Sequence, residues 1–231
     1  MDTEDVSTEV LFKLWPWLEA NKNRLIGGLV AVVLVALVYS YINWQRGQNE
    51  IACGEAFTQL LLSHSPDASP GQEADSYLAL ADKYPGTQAG QRAQLQAAAV
   101  LFEADKYPEA QAAFQKFADN HSGPLAAIAD LGLGASLEAQ GNTDQATAAY
   151  LRITSSHANP GAFLQAQFSL GRIAEQKGQL ADAENYYQSV ADLGRAGGTL
   201  SEEAQGRAYQ IKQRLSSIQK SATTTNSPIL K

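Results

Sequence analysis

Few side chains in this 231-residue chain are equipped for chemistry: three histidines, one cysteine and scattered carboxylates. His121 and His157 stand 36 residues apart. Zinc ligands each sit about 2 Å from the metal, within roughly 4 Å of one another. If 36 residues is the period of a structural repeat, the two rings lie on successive loops about 10 Å or more apart and cannot share an ion. His64 falls at the end of an expected helix. Cys53 lies in an expected helix with no histidine nearby, the setting of a packed thiol and not of an activated one. Gly132-x-Gly134 lacks the third glycine of a dinucleotide fingerprint and falls inside a helix instead of after a strand. Neither a nucleophile elbow nor a zinc-protease motif occurs. These residues predict a non-catalytic protein with no metal and no cofactor.

The composition narrows the remaining classes. A net charge of −7, with no clustered Lys and Arg, argues against a nucleic-acid partner. At 45% hydrophobic and 18% charged residues, the chain has material for a real core and is not disordered as a whole. Any function must then reside in a surface, and the elements that build that surface are visible as an internal repeat.

Ala74, Ala110, Ala146 and Ala183 are spaced by 36, 36 and 37 residues. Four residues after each stands a large side chain (Leu78, Phe114, Tyr150, Tyr187), and seven after each an apolar one (Ala81, Phe117, Ile153, Val190). Twelve before each come Leu62, Ala98, Gly134 and Gly171, and nine before come Ser65, Leu101, Leu137 and Ala174. This is the tetratricopeptide pattern: a small residue on helix A lets helix B approach, and an aromatic ring on helix B fills the space between repeats. Glycine at the A-to-B turn, as in Gln140-Gly141-Asn142 and Lys177-Gly178-Gln179, supplies a left-handed helix end. The fold class expected is all-α, a solenoid of about four helix pairs over residues 45–219. In the first copy, helix A is expected over roughly Gln48 to His64, with its continuity with the preceding segment left open. Ala204, Ala208, Ile211, Leu215 and Ile218 mark a C-terminal capping helix, and residues 220–231, rich in Ser and Thr, are expected to be a disordered tail. Repeat register assigns Arg92, Leu95, Ala99, Phe102, Leu131, Ala135, Glu138, Phe168, Arg172 and Glu175 to a concave groove on the A helices. Exposed Phe102 and Phe168 beside Arg92 and Arg172 would suit a peptide held by apolar contact and charge-assisted hydrogen bonds; the alternative is that both rings pack between repeats.

Ahead of the repeats, the twenty-one residues between Arg24 and Arg46 carry no charge. About 20 apolar residues suffice to cross a bilayer core as a helix. Trp15 and Trp17 precede the run and Tyr39, Tyr41 and Trp44 follow it, as expected of rings that favour the headgroup zone. With Arg24, these are the candidate interface anchors. The N-terminal side carries Lys13, Lys22 and Arg24 against Arg46 alone on the other, which predicts a cytoplasmic N-terminal segment (1–24), a transmembrane helix (25–44) and repeats across the membrane. The exit, Tyr39-Ser40-Tyr41-Ile42-Asn43-Trp44, lacks the small residues of a signal-peptide cleavage site, which favours a retained anchor.

The segment Leu14-Trp15-Pro16-Trp17-Leu18-Glu19-Ala20-Asn21-Lys22-Asn23-Arg24-Leu25-Ile26-Gly27-Gly28, the single span, the Tyr84-Pro85-Gly86-Thr87 turn and the repeats together resemble the bacterial ancillary SecYEG translocon subunit family. The resemblance implies a single-pass inner-membrane protein with periplasmic repeats that engage the Sec translocon, its periplasmic chaperone partners or emerging secretory chains. An accessory structural subunit of another large membrane complex is the alternative.

Overall fold

The computed structural model describes residues 3–62, 69–193 and 198–225, which form nine α-helices among the described residues. The chain divides into two units, 1–52 and 53–231, and the boundary falls within the first helix, α1 (Thr3–Leu62). In the first unit the apolar run is helical and none of it is buried: Leu29, Val32, Val35 and Leu37 are all exposed. It is therefore not the core helix of a globular domain, and it stands as one candidate membrane span. Helix already begins at Thr3, through the segment expected to precede the span.

The second unit stacks helix pairs. After the end of α1 come α2 (Pro70–Lys83), α3 (Gln88–Glu103), α4 (Tyr107–Asn120), α5 (Pro124–Ala139), α6 (Thr143–Ser156), α7 (Pro160–Gln176), α8 (Leu180–Ala191) and α9 (Gly198–Thr225). From α2 to α9 each helix packs on its neighbours in sequence, and α3, α5, α7 and α9 also touch one another in succession, so these A helices form one continuous layer. Buried Ala110, Ala146 and Ala183 open the B helices α4, α6 and α8, as the 36-residue spacing predicts.

The rings of the B helices hold the layers together. A Cβ on Gly134 would collide with the Tyr150 ring, and one on Gly171 would come within 2.8 Å of the Tyr187 ring. Phe114 presses in the same way on Gly132, an A-helix residue of the following repeat. The short turns that aim these helices share one device. Gly141 and Gly178 have φ of +80° and +72°, and Asp105 occupies the equivalent position with φ of +59°. Beside them, the amides of Lys106, Asn142 and Gln179 donate to the carbonyls of Leu101, Leu137 and Ala174, closing each A helix in a Schellman turn.

Three expectations need correction. In the first pair Tyr77, not Leu78, is the core ring: Leu78 is 39% exposed, while Tyr77 is buried against Phe57 at 5.9 Å. Leu62, placed by register where Gly134 and Gly171 sit, is 82% exposed. Ala74 and Ala81 are nevertheless buried as the register requires, so the departure is confined to the ring position of α2 and to the end of α1. Third, α9 continues to Thr225, past the expected helix end at 219, because neither Gly nor Pro interrupts it after Gly206. Ser65, His64 and residues 226–231 lie outside the described residues.

Replacing Gly134 or Gly171 with Leu drives a side chain into a buried ring and should cost about 1–3 kcal/mol. Tyr150→Ala should cost about 3 kcal/mol or more by leaving a cavity. Urea denaturation of the full chain checks both, and an unchanged midpoint for all three contradicts the packing described.

Candidate functional site

The A helices line one groove of about 1020 Å³. Its walls come from Phe57 on α1, from Leu95, Ala99 and Phe102 on α3, and from Leu125, Ile128, Leu131 and Ala135 on α5. Gln165, Ser169 and Arg172 on α7 close its far side, and Phe114 and Tyr150 reach it from the B layer. Eight of the ten groove residues expected from register meet here: Arg92, Leu95, Ala99, Phe102, Leu131, Ala135, Glu138 and Arg172. Thr87 sets the entry to α3: its Oγ1 caps the helix by accepting from the Gly90 amide at 3.0 Å and donates to the Tyr84 carbonyl at 2.8 Å. A Cβ on Gly90 would come within 2.9 Å of that carbonyl, so the turn at Tyr84–Thr87 is built around the glycine.

Phe168 and Glu175 are not in the groove. Phe168 is 7% exposed and packs edge-on against Tyr187 at 5.4 Å, with the Arg207 guanidinium 5.6 Å above its ring. Glu175 accepts from the Tyr187 hydroxyl at 3.2 Å and lies 3.5 Å from both Arg207 and Arg214 of α9. Helix α9 thus occupies the place of a further A helix and covers what would otherwise be groove, which repeat register alone does not reveal.

The Glu175 arrangement copies one a repeat earlier. Glu138 accepts from the Tyr150 hydroxyl at 3.2 Å and from Arg172 at 2.8 and 2.9 Å on its two oxygens. Arg172 is therefore committed to an internal ion pair and is not a free cation for a ligand. One repeat nearer the N-terminus, the positions of Glu138, Arg172 and Tyr150 are held by Phe102, Ala135 and Phe114. Where the polar triad is replaced, the surface becomes apolar and the groove opens. Among the described residues Arg92 is exposed and has no ion-pair or hydrogen-bond partner.

Phe57, Gln96, Glu103 and Ile128 also line the groove without having been expected there. Ile128 was findable, since it stands 36 residues after Arg92. Phe57 was not, because the end of α1 does not keep the register, Leu62 being exposed where the later A helices bury glycine. Of the remaining sequence features, His121 stacks on Phe117 at 4.1 Å and His157 on Phe163 at 4.9 Å, each in its own loop. Cys53 is buried in the core of the first pair. Trp17, Tyr39, Tyr41 and Trp44 are exposed along α1, as is Arg24, while the Trp15 side chain lies outside the described residues.

The two triad tyrosines respond to burial. Tyr187 is pushed up to about 12, chiefly by desolvation, with Arg207 opposing and Glu175 adding to the rise. Tyr150 is raised by burial and then by the Glu138 carboxylate. An unfolded tyrosine ionises near pH 10. The native rings keep their protons there, so their contribution is full below about pH 10 and is lost as pH climbs through the folded values. The melting temperature should fall steeply from about pH 10 upward, and a Tyr150→Phe/Tyr187→Phe variant should show a shallower alkaline decline. Equal slopes in thermal melts would contradict this assignment.

A sequence model of the tetratricopeptide repeat-like domain matches residues 16–219. No curated protein matches the chain in direct comparison.

Proposed function

The chain belongs to the tetratricopeptide repeat-like domain family, and from that premise we propose that it is a membrane-anchored, non-catalytic scaffold whose α3–α5 groove holds a segment of a partner protein. The observation that carries this reading is the groove itself: Leu131, Phe102 and Ile128 lie together along it and all three keep contact with solvent. Such a patch, rimmed by polar groups, is a usual mark of an interaction surface. The exposed apolar run in the first unit supports anchoring by one helix, and its Lys/Arg asymmetry supports a cytoplasmic N-terminus. Trp15, Trp17, Tyr39, Tyr41 and Trp44, with Arg24, then serve as interface anchors.

The resemblance to the ancillary SecYEG translocon subunits supports a finer reading: a bacterial inner-membrane protein with periplasmic repeats, whose partners are the Sec translocon and its periplasmic chaperones. Confinement to the same membrane raises the effective concentration of both binders, so a groove of modest intrinsic affinity suffices.

Photo-crosslinkers placed at Leu131, in the groove, and at exposed Asn185 on α8 test this in intact membranes. Translocon or chaperone adducts should form from position 131 and not from 185. Adducts with subunits of a different membrane complex contradict the translocon assignment, and adducts from 185 alone contradict the groove. Protease added outside spheroplasts should digest the repeats and spare roughly the first 20 residues, as the positive-inside rule requires. Protected repeats would overturn the topology.

A further inference from the structure

The groove has a direction as well as an apolar floor. Its apolar residues form two stripes, one through Leu95 and Phe102 on α3 and one through Ile128 and Leu131 on α5. Each stripe recurs at three- to four-residue spacing and so runs along the axis of its helix. Arg92 stands in the first turns of α3 and Glu103 at its end. Both line the groove, both are exposed, and neither has an ion-pair or hydrogen-bond partner among the described residues. Eleven residues separate them, about 16 Å at the helical rise of 1.5 Å per residue. The trough is thus an apolar strip about three turns long, with a free cation at one end and a free anion at the other.

An extended segment fits this strip poorly, because successive side chains alternate and only every second one faces the floor. Run across the A helices instead, it would leave the apolar stripes for Gln165 and Arg172 on α7. An amphipathic helix presents apolar residues at i, i+3, i+4 and i+7, the spacing of the stripes themselves. The helix dipole adds a charge order: carboxylates stabilise a helix N-terminus and cations its C-terminus. Resting on the reading that the groove takes a protein segment, we infer that its occupant is an amphipathic helix of about three turns, running parallel to α3. Acidic residues in its first turn meet Arg92, and basic residues in its last turn meet Glu103.

The test uses the full chain in lipid nanodiscs and three fluorescein-labelled 12-residue peptides with one shared Leu/Phe face, the first two of them stapled. The first has Glu in the first turn and Lys in the last, and the second has that order reversed. The third, unstapled, keeps the first charge order but carries a proline at a central solvent-facing position. By fluorescence anisotropy the acid-first peptide should bind about tenfold tighter than the base-first one, since both end contacts switch from attraction to repulsion. The proline peptide should lose most of its affinity. Arg92→Glu with Glu103→Lys should invert the order, and Arg92→Gln with Glu103→Gln should erase it. Equal affinity for both charge orders, or undiminished binding of the proline peptide, overturns the proposal. If Ile128→Asp still abolishes that binding, the groove reading survives. Binding by none of the three peptides also overturns the proposal, while the groove reading is judged separately by the crosslinks from position 131.

Discussion

The second unit depends on one packing constraint, the clasp of a B-helix ring against glycine on an A helix. Tyr150 and Tyr187 lie so close to Gly134 and Gly171 that no Cβ fits between them, and Phe114 meets Gly132 in the same way. Interiors packed at crystal-like density leave no room to absorb an extra carbon there. Because each ring touches its own A helix or that of the next repeat, the clasp transmits the repeat geometry along the stack. The hydroxyls of Tyr150 and Tyr187 extend it by donating to Glu138 and Glu175, each of which is paired with an arginine from the following A-layer helix.

The groove follows from an interruption of that pattern. In the later repeats a Glu–Arg–Tyr triad seals the concave face, and α9 completes the second copy through Arg207 and Arg214. Phe102, Ala135 and Phe114 hold the same positions one repeat earlier and make no polar link, which leaves an apolar trough between α3 and α5. Among the described residues the apolar trough therefore lies toward the N-terminal end of the repeats, while the triads and α9 close the concave face beyond it. Large surface patches of this kind are uncommon on proteins that work alone.

Much of this was legible in the sequence. The alanine spacing located the B helices, Gly134 and Gly171 located the close approaches, and Gly141 and Gly178 located the turns, because each requirement is local and recurs with the period. What escaped was non-local. Phe168 has the register of a groove residue, but α9 folds over it; nothing in the spacing of residues 160–176 announces that helix. Tyr77 takes the core place expected of Leu78 because its ring meets Phe57 of α1, a partner outside the repeat, while Ala74 and Ala81 keep the register on either side. Arg172 looked available for a ligand until its partner, Glu138, was found 34 residues earlier in the chain.

The central claim is that the apolar trough between α3 and α5 recruits a protein partner at a membrane. The most direct measurement is quantitative mass spectrometry of what copurifies with the full-length protein from gently solubilised membranes, comparing the native chain with Ile128→Asp. Ile128 is 39% exposed, so the substitution places a charge in the trough without opening the core. The account predicts that the partners are lost while the melting temperature changes little, surface substitutions normally shifting stability by about 0.5 kcal/mol or less. An unchanged set of partners at unchanged stability would contradict it.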